Sequence, residues 1–568
     1  MKKIKFYMSM IKRFWKILPM IFLFIGCEDY LDVDTDTDSP ITAPLNQLLP
    51  NIQVGLANVG DSNFWSGDIL QVYVHQFTAR GAQDQYGLQA NSILMRNEWN
   101  AIYLGLTDIE TLIAQSQESG DRVYLGIAQI MKAYLLTTAV DIWGDVPFSE
   151  ATQLEAGIIS PVFDDQQEIY SVCLGLLEDG KSNVASGEGL NQPGSDDLFY
   201  AGSTDNWVKF ANTFKLKLYN QIRLSSLFDQ SALNALVAED NFFTSNTDDF
   251  QFTHTANQAP TDERNQMFIN AYGGAQVTKY ASPWFYEILK GVNPNVHNGN
   301  PDPRLPYYFV NQLLPGQFPR DQGNAETGNP NADYWDASTG FFSIRFGSIG
   351  PYRDNAVEGD ATFPGIFPCG GRYDDGQGFA RTINSGTGVA PRRILTYDEF
   401  LYIQAELMHV GLLPGDSRAK LREAVEASFA KVDQVVAGTG TTQTVPMLFG
   451  SAAVTSFIDG IMAEFDAADN EKQFEIIMTQ KWVATFGDSL DQYADYRRTG
   501  YPILAEPLGA QSPEYQLDNG DGFLLNDAET VQDNPYQISI FWPDTELNLN
   551  QNAPDQKNPA TYNIFWDN

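Results

Sequence analysis

Three cysteines in 568 residues cannot staple this fold together. Cys173 lies in an apolar helical stretch and Cys369 in a Pro-Cys-Gly-Gly loop. These two leave room for one bridge at most, so the chain must rely on its core. Histidine is scarcer than its length would suggest: His75, His254, His297 and His409 stand singly. No His-Glu-x-x-His pair, Gly-x-Ser-x-Gly elbow, Walker loop or dinucleotide fingerprint occurs, which removes the enzyme classes those motifs carry. A glycoside hydrolase needs only two carboxylates roughly 5–10 Å apart, and among 72 acids that reading stays open. Positive charge is short as well. Against those acids stand 35 Lys and Arg, for a formal net charge of −37. Such a surface repels nucleic acid, anionic headgroups and polyanionic substrates, and neutral ligands suit it best. The same acidity also serves solubility.

Beyond the first 26 residues no hydrophobic segment approaches the ~20 residues a spanning helix needs. The leader itself has six basic residues, no acid, a short apolar run over 17–25, and then Gly26-Cys27. That is the layout of a secretory signal. The small residue before Cys27 resembles the lipobox of bacterial lipoproteins, with Phe24 where Leu is usual, which would make Cys27 the acylated first residue. Two or three acyl chains, at about 0.8 kcal/mol per buried methylene, hold a soluble domain on a membrane. Removing the leader takes the formal charge from −37 to −43. Residues 27–44 follow as an acidic, Pro-punctuated linker. Asp32, Asp34, Asp36 and Asp38 alternate like the start of a calcium loop, but Thr37 and Ala43 occupy its glycine and terminal-carboxylate positions, so an EF-hand is excluded.

From 45 to about 240 apolar residues recur at three- and four-residue spacing. This predicts helices over Leu45–Val59, Trp99–Ser116, Arg122–Ile142, Gln166–Leu177 and Trp207–Leu227, with caps at Asp164-Asp165 and Thr204-Asp205. Residues 245–395 are rich in Gly, Pro, Asn and aromatics and have no period, as functional loops or short irregular strands would. Helices return over Tyr397–Val410, Ser417–Val432, Ser451–Ala468 and Asn470–Phe486. The chain from 45 to 568 therefore reads as mostly α: helical hairpins of the tetratricopeptide type over about 45–240 and 397–486, around a large loop-rich insert.

Six segments carry a family resemblance. DIWGDVPFSEA (141–151), NWVKFANTFKLKLYNQIR (206–223), DPRL (302–305), YDEFLYIQAEL (397–407), DYRRTGYPIL (495–504) and FWPDTELNLNQN (541–552) resemble, in order, elements of the SusD/RagB-like outer-membrane lipoproteins. Trp143 and the Phe541-Trp542 pair depart from that pattern, aromatic for aromatic. These motif residues are expected to be scaffold, with Asp145 satisfying turn amides beside Pro147 and Arg497 and Arg498 forming ion pairs with neighbouring helices. The resemblance implies a helical fold with tetratricopeptide-like units and a loop-rich ligand-binding part. It also implies no catalysis, no cofactor, and a surface-exposed receptor and lid for a SusC-like TonB-dependent transporter, taking up oligosaccharides or, in some members, peptides.

A neutral sugar offers C–H faces that stack on aromatic rings and hydroxyls that pair with polar side chains. Two aromatic-rich irregular regions supply both. The first gives Trp65, Arg80, Asp84 and Tyr86, and the second Tyr280, Trp284, Tyr334, Trp335 and Asp336. Trp335 is the leading candidate, because its ring and the Asp336 acceptor follow a polar, turn-forming stretch. Trp99, Trp143, Trp207 and Trp482 lie in helical patterns and belong to the core.

Overall fold

The computed structural model describes residues 43–320, 334–349, 359–504 and 531–567, apart from positions 63, 82, 83, 275 and 276. Cys27, the leader and the linker up to residue 42 lie outside the described residues. Helix α1 spans Leu45–Asn58, and the described residues from Leu49 onward form one compact unit.

After α1 come α2 (Trp65–Tyr73), α3 (Ile93–Ser119), α4 (Arg122–Trp143), α5 (Gln166–Ser186), α6 (Thr204–Gln221) and α7 (Gln230–Ala238). Each predicted helix is present, although α5 runs on past Leu177 to Ser186 and α6 ends at Gln221 rather than Leu227. Consecutive helices from α3 to α6 pack side by side. Helix α4 is largely apolar and mostly buried between its neighbours. Its contact with α5 is a reciprocal glycine approach: a Cβ on Gly126 would lie 2.5 Å from the Gly180 carbonyl, and one on Gly180 2.8 Å from that of Gly126. Only hydrogen at both positions lets the two backbones close to this distance. Asp165 caps α5 by accepting from the Gln167 and Glu168 amides. Helix α6 is capped by Ser203 rather than by Thr204-Asp205, which form its first turn.

The loop-rich middle contributes helix α8 (Pro283–Lys290) and short antiparallel two-stranded ladders. Strand β1 (Phe77–Ala79) pairs with β2 (Lys279–Ala281), and β3 (Tyr334–Asp336) pairs with β4 (Phe341–Ser343). The second helical part comprises α9 (Tyr397–His409), α10 (Ser417–Gly438), α11 (Ala452–Ala467), α12 (Asn470–Ala484) and α13 (Ser489–Thr499). A short α14 (Asp544–Leu549) follows.

The motif segments are structural in this fold. The C-terminal segment lies across the end of α4: Trp143 donates to the Phe541 carbonyl at 3.1 Å, and Trp542 donates to that of Asp145 at 2.9 Å. Asp145 accepts from the Gln166 amide at the start of α5, while the turn amides of Phe148 and Ser149 go to Asp164 instead. Arg498 pairs with Glu406 on α9 and with Asp495, whereas Arg497 donates to the Ile538 and Asp141 carbonyls. Arg304 of the Asp-Pro-Arg-Leu segment is fully buried, gripping Asp302 through Nε and Nη2 and donating to Ser428 and Gln480. Cys173 and Cys369 are separate buried thiols.

Candidate functional site

The site grows from the turn that opens α2. Glu98 on α3 accepts from the Gly60 and Ser66 amides and holds that turn in place. Full burial pushes the Glu98 carboxyl up to about 7 despite those two donors. Trp65 is held at φ 38°, a left-handed backbone conformation unusual for a bulky side chain, with its half-buried ring 4.3 Å from that of Phe64. Strain of this kind persists only where surrounding structure imposes it, and it gathers at ligand sites.

Strand β1 then pairs with β2, and the Arg80 amide extends the ladder to the Thr278 carbonyl at 2.8 Å. This sets Arg80, half-buried, at the exit of the strand. The following loop is pinned at three points. Gln85 brackets Ala79, accepting from its amide at 2.8 Å and donating to its carbonyl at 3.2 Å. Asp84 accepts from the Tyr86 amide and, at 2.9 and 2.7 Å, from the amide and side chain of Asn534. Tyr86 is wholly buried, its hydroxyl 2.8 Å from His75 Nε2 and its ring packed among Tyr73, Phe346 and Tyr536. Burial lowers the His75 pKa to about 3, so this support carries no charge at neutral pH.

Between α2, this loop and β2 lies a cavity of about 310 Å³. Ile69, Val72 and Leu88 give it an apolar lining, and Gln85, Gln89 and Ser92 provide neutral amides and a hydroxyl. Its charged members are spoken for: Asp68 is ion-paired with Lys279 across the wall, and Asp84 holds Asn534.

The second aromatic region adjoins the first through β2. Lys279 lines the cavity, and Ala281, two residues on, accepts from Ser343 of the β3–β4 hairpin at 2.5 Å. Trp335 is half-buried on that hairpin with its ring 4.6 Å from Phe318. Asp336 accepts from the Tyr286 hydroxyl, from Lys290 and from the amide and hydroxyl of Ser338. Burial alone would raise its pKa, but those donors win and lower it. Beyond Phe318, the same loop lines a depression of about 590 Å³ where Arg320 pairs with Asp360.

Six of the nine sequence candidates change role, four aromatic rings and two carboxylates. Tyr86, Tyr280, Trp284 and Tyr334 are 0–3% exposed and cannot offer a ring face to a ligand. Tyr280 sits in the ladder opposite Thr78, Trp284 is in α8, whose residues are buried from Pro283 through Leu289, and Tyr334 packs edge-on to Phe341 and Tyr286. The loop-rich part builds its own aromatic core, so leaving a helical pattern did not mean reaching the surface. Asp84 and Asp336 brace loops rather than waiting for sugar hydroxyls. Trp65, Arg80 and Trp335 retain partly open side chains. Gln85, Gln89, Ser92 and Lys279 line the cavity and Phe318 packs on Trp335, residues whose polarity or aromaticity is legible in sequence but whose neighbours are not.

Among the described residues one trio of carboxyls converges, Glu399, Asp488 and Asp491, with ligand atoms within 4.8 Å of one another. Lys217 pairs with Asp491, Arg392 approaches Asp488 at 3.5 Å and Lys481 approaches Glu399 at 3.6 Å, so ammonium and guanidinium groups hold positions a metal ion would need. The trio is part of an ion-pair network linking α6, α9, α12 and α13.

Comparison with known proteins agrees with this architecture. A SusD homolog from Bacteroides fragilis superposes with a TM-score of 0.62 at 16% identity, over 90% of this chain and 94% of that one. A chitin-binding protein matches with a TM-score of 0.64 at 20% identity, over 92% of this chain and all of that one (100%). A SusD/RagB family protein from Bacteroides thetaiotaomicron gives 0.61 at 19%, over 90% and 95%. No curated protein matches in sequence. Residues 37–518 match the family described as starch-binding, associating with the outer membrane, and on that span the chain belongs to the SusD-like family.

Proposed function

We propose that this protein is a non-catalytic, lipid-anchored receptor on the cell surface that captures neutral oligosaccharides or polysaccharides and passes them to a SusC-like TonB-dependent transporter. The observation that carries the reading is the cavity of about 310 Å³ between α2, the loop after β1 and β2. It combines an apolar lining, neutral amides and a hydroxyl, and its carboxylates are already engaged in ion pairs and loop bracing. Such a lining suits hydroxyl-rich ligands without net charge, and the half-buried Trp65 and Trp335 are the rings we propose for stacking. A retaining or inverting hydrolase would need a carboxylate pair free to act as acid and as base or nucleophile. Asp68 and Asp84 are not free in that sense. The acidic leader-proximal residues Glu28 and Asp29 fit export of the anchored chain to the outer face.

Calorimetric titration of the mature chain with starch-derived, chitin-derived and other neutral oligosaccharides tests the reading. Saturable binding with no new reducing ends on prolonged incubation is the expected result. Tight binding of peptides with no binding of any glycan would favour the peptide-binding alternative, and release of reducing ends would restore the hydrolase. Protease shaving of intact cells should degrade the chain, and alanine at Glu28 and Asp29 should protect it.

A further inference from the structure

The cavity of about 310 Å³ has aliphatic walls, supplied by Ile69, Val72 and Leu88. Tyr73, the single aromatic residue among the described lining, is 1% exposed, with its ring packed against Tyr86, Tyr493 and Tyr536. Inside the cavity no ring face is turned towards a ligand, so the flat face of a pyranose finds no stacking partner there. Aliphatic walls favour a methyl group, whose burial stabilises in proportion to the apolar area removed from water. A plain pyranose carries hydroxyls in place of such a group and would leave them unpaired against those walls, which costs free energy.

Two polar side chains stay open beside the aliphatic patch. Gln89 gives its Nε2 to the Gly87 carbonyl at 3.1 Å, and among the described residues nothing donates to its Oε1. Ser92 stands at the N-cap of α3 without a side-chain bond to the helix amides. The other polar members of the lining are engaged. Gln85 brackets Ala79, Asp68 is paired with Lys279, and Asp84 holds Asn534. What the cavity offers a ligand is therefore one amide acceptor, one hydroxyl donor and an aliphatic patch.

Resting on the receptor reading above, we infer that this cavity selects sugars bearing an N-acetyl group. An acetamido substituent carries all three matching features on one planar unit. Its methyl packs against Ile69, Val72 and Leu88, its carbonyl oxygen accepts from the Ser92 hydroxyl, and its N–H donates to Gln89 Oε1. A hydroxyl at the same ring carbon reaches neither the patch nor both polar partners, and a free amine would bring an ammonium charge against the aliphatic walls. Ligand pockets run from roughly 300 to 1,000 Å³, so this one holds a single substituted ring rather than a run of them.

Chitotetraose and cellotetraose share linkage and length and differ only in the group on C2 of each ring. Calorimetric titration of the mature chain with the two isolates what the acetamido group contributes. Chitotetraose should bind at least tenfold more tightly, on the scale at which a site built around a substrate's polar group rejects the analogue lacking it. Ser92→Ala and Leu88→Ser should each shrink that preference at least threefold. Ser92→Ala removes no capping bond and should keep the parent's melting temperature, which separates lost selectivity from lost fold. Equal affinities, tighter binding of cellotetraose, binding only of glycans without acetamido groups, or a preference untouched by both substitutions would overturn the inference and leave the receptor reading standing. If no glycan binds at all, the receptor reading itself fails and the inference falls with it.

Discussion

Removing the Asp84 carboxylate should loosen the ligand cavity without unfolding the protein. Its Oδ2 accepts from the amide and the side chain of Asn534, and its Oδ1 from the Tyr86 amide, so it ties the loop after β1 to a segment 450 residues away. A hydrogen bond to a charged acceptor is worth ~1.5–3 kcal/mol. Because Asp84 is half-exposed, solvent offsets part of each bond, and Asp84→Ala should cost the local loop about 2 kcal/mol in all. That is a rise of ~30-fold in its opening equilibrium constant. Tyr86 remains anchored on His75 and in the aromatic cluster, so global unfolding should change far less. Hydrogen exchange followed by mass spectrometry reads this directly. Peptides covering residues 84–92 and 531–537 should exchange about 30-fold faster, with α4 and α12 unaffected. Glycan affinity should fall, since the binding-competent loop is less populated. Asp84→Asn, which keeps one acceptor oxygen, should lie between. Unchanged exchange in both peptides, or an equal rise throughout the chain, would refute the assignment of Asp84 as a brace.

Trp335→Ala should weaken glycan binding by roughly 1–3 kcal/mol, on the scale of aromatic stacking on a ring-shaped ligand, with little change in melting temperature; equal affinity would remove Trp335 from the site. Arg304→Ala strands the buried Asp302 carboxylate and should cost roughly 3–5 kcal/mol in denaturant titration, whereas the paired Asp302→Asn/Arg304→Met chain should recover part of that loss; a cost below about 1 kcal/mol would contradict the ion-pair account. Glu98, ordinarily near 4.5 but at about 7 when folded, keeps a proton that the unfolded chain releases between those pH values. Its stabilisation is therefore complete below pH 4.5 and is lost as pH rises through 7, by about 3 kcal/mol at most. The stability difference between parent and Glu98→Gln should fall across that window, and a flat difference would refute the raised pKa.

Helix positions were legible in the sequence because a 3.6-residue period is a local property. Arg122–Ile142 and Tyr397–Val410 appear in the structure within a residue as α4 and α9. The family motifs were legible because each is a short contiguous run, although their side chains reach distant partners, as Trp143 does at Phe541 and Arg498 at Glu406. Helix α2 was not: Trp65–Tyr73 is only nine residues long and opens in a strained turn held by Glu98, a residue outside the segment. Burial in the irregular middle was equally hidden. Tyr280 and Tyr334 lie in three-residue strands with too little length to show alternation, and their partners come from elsewhere in the chain. The sequence alone thus determined a mostly helical chain with an aromatic, acidic, loop-rich insert. Tertiary structure decided which of those aromatics stay partly exposed and which acids are already engaged. Rings and carboxylates in loops are assigned by distant neighbours, such as Asn534 for Asp84 and Lys290 for Asp336, and no local pattern encodes those pairings.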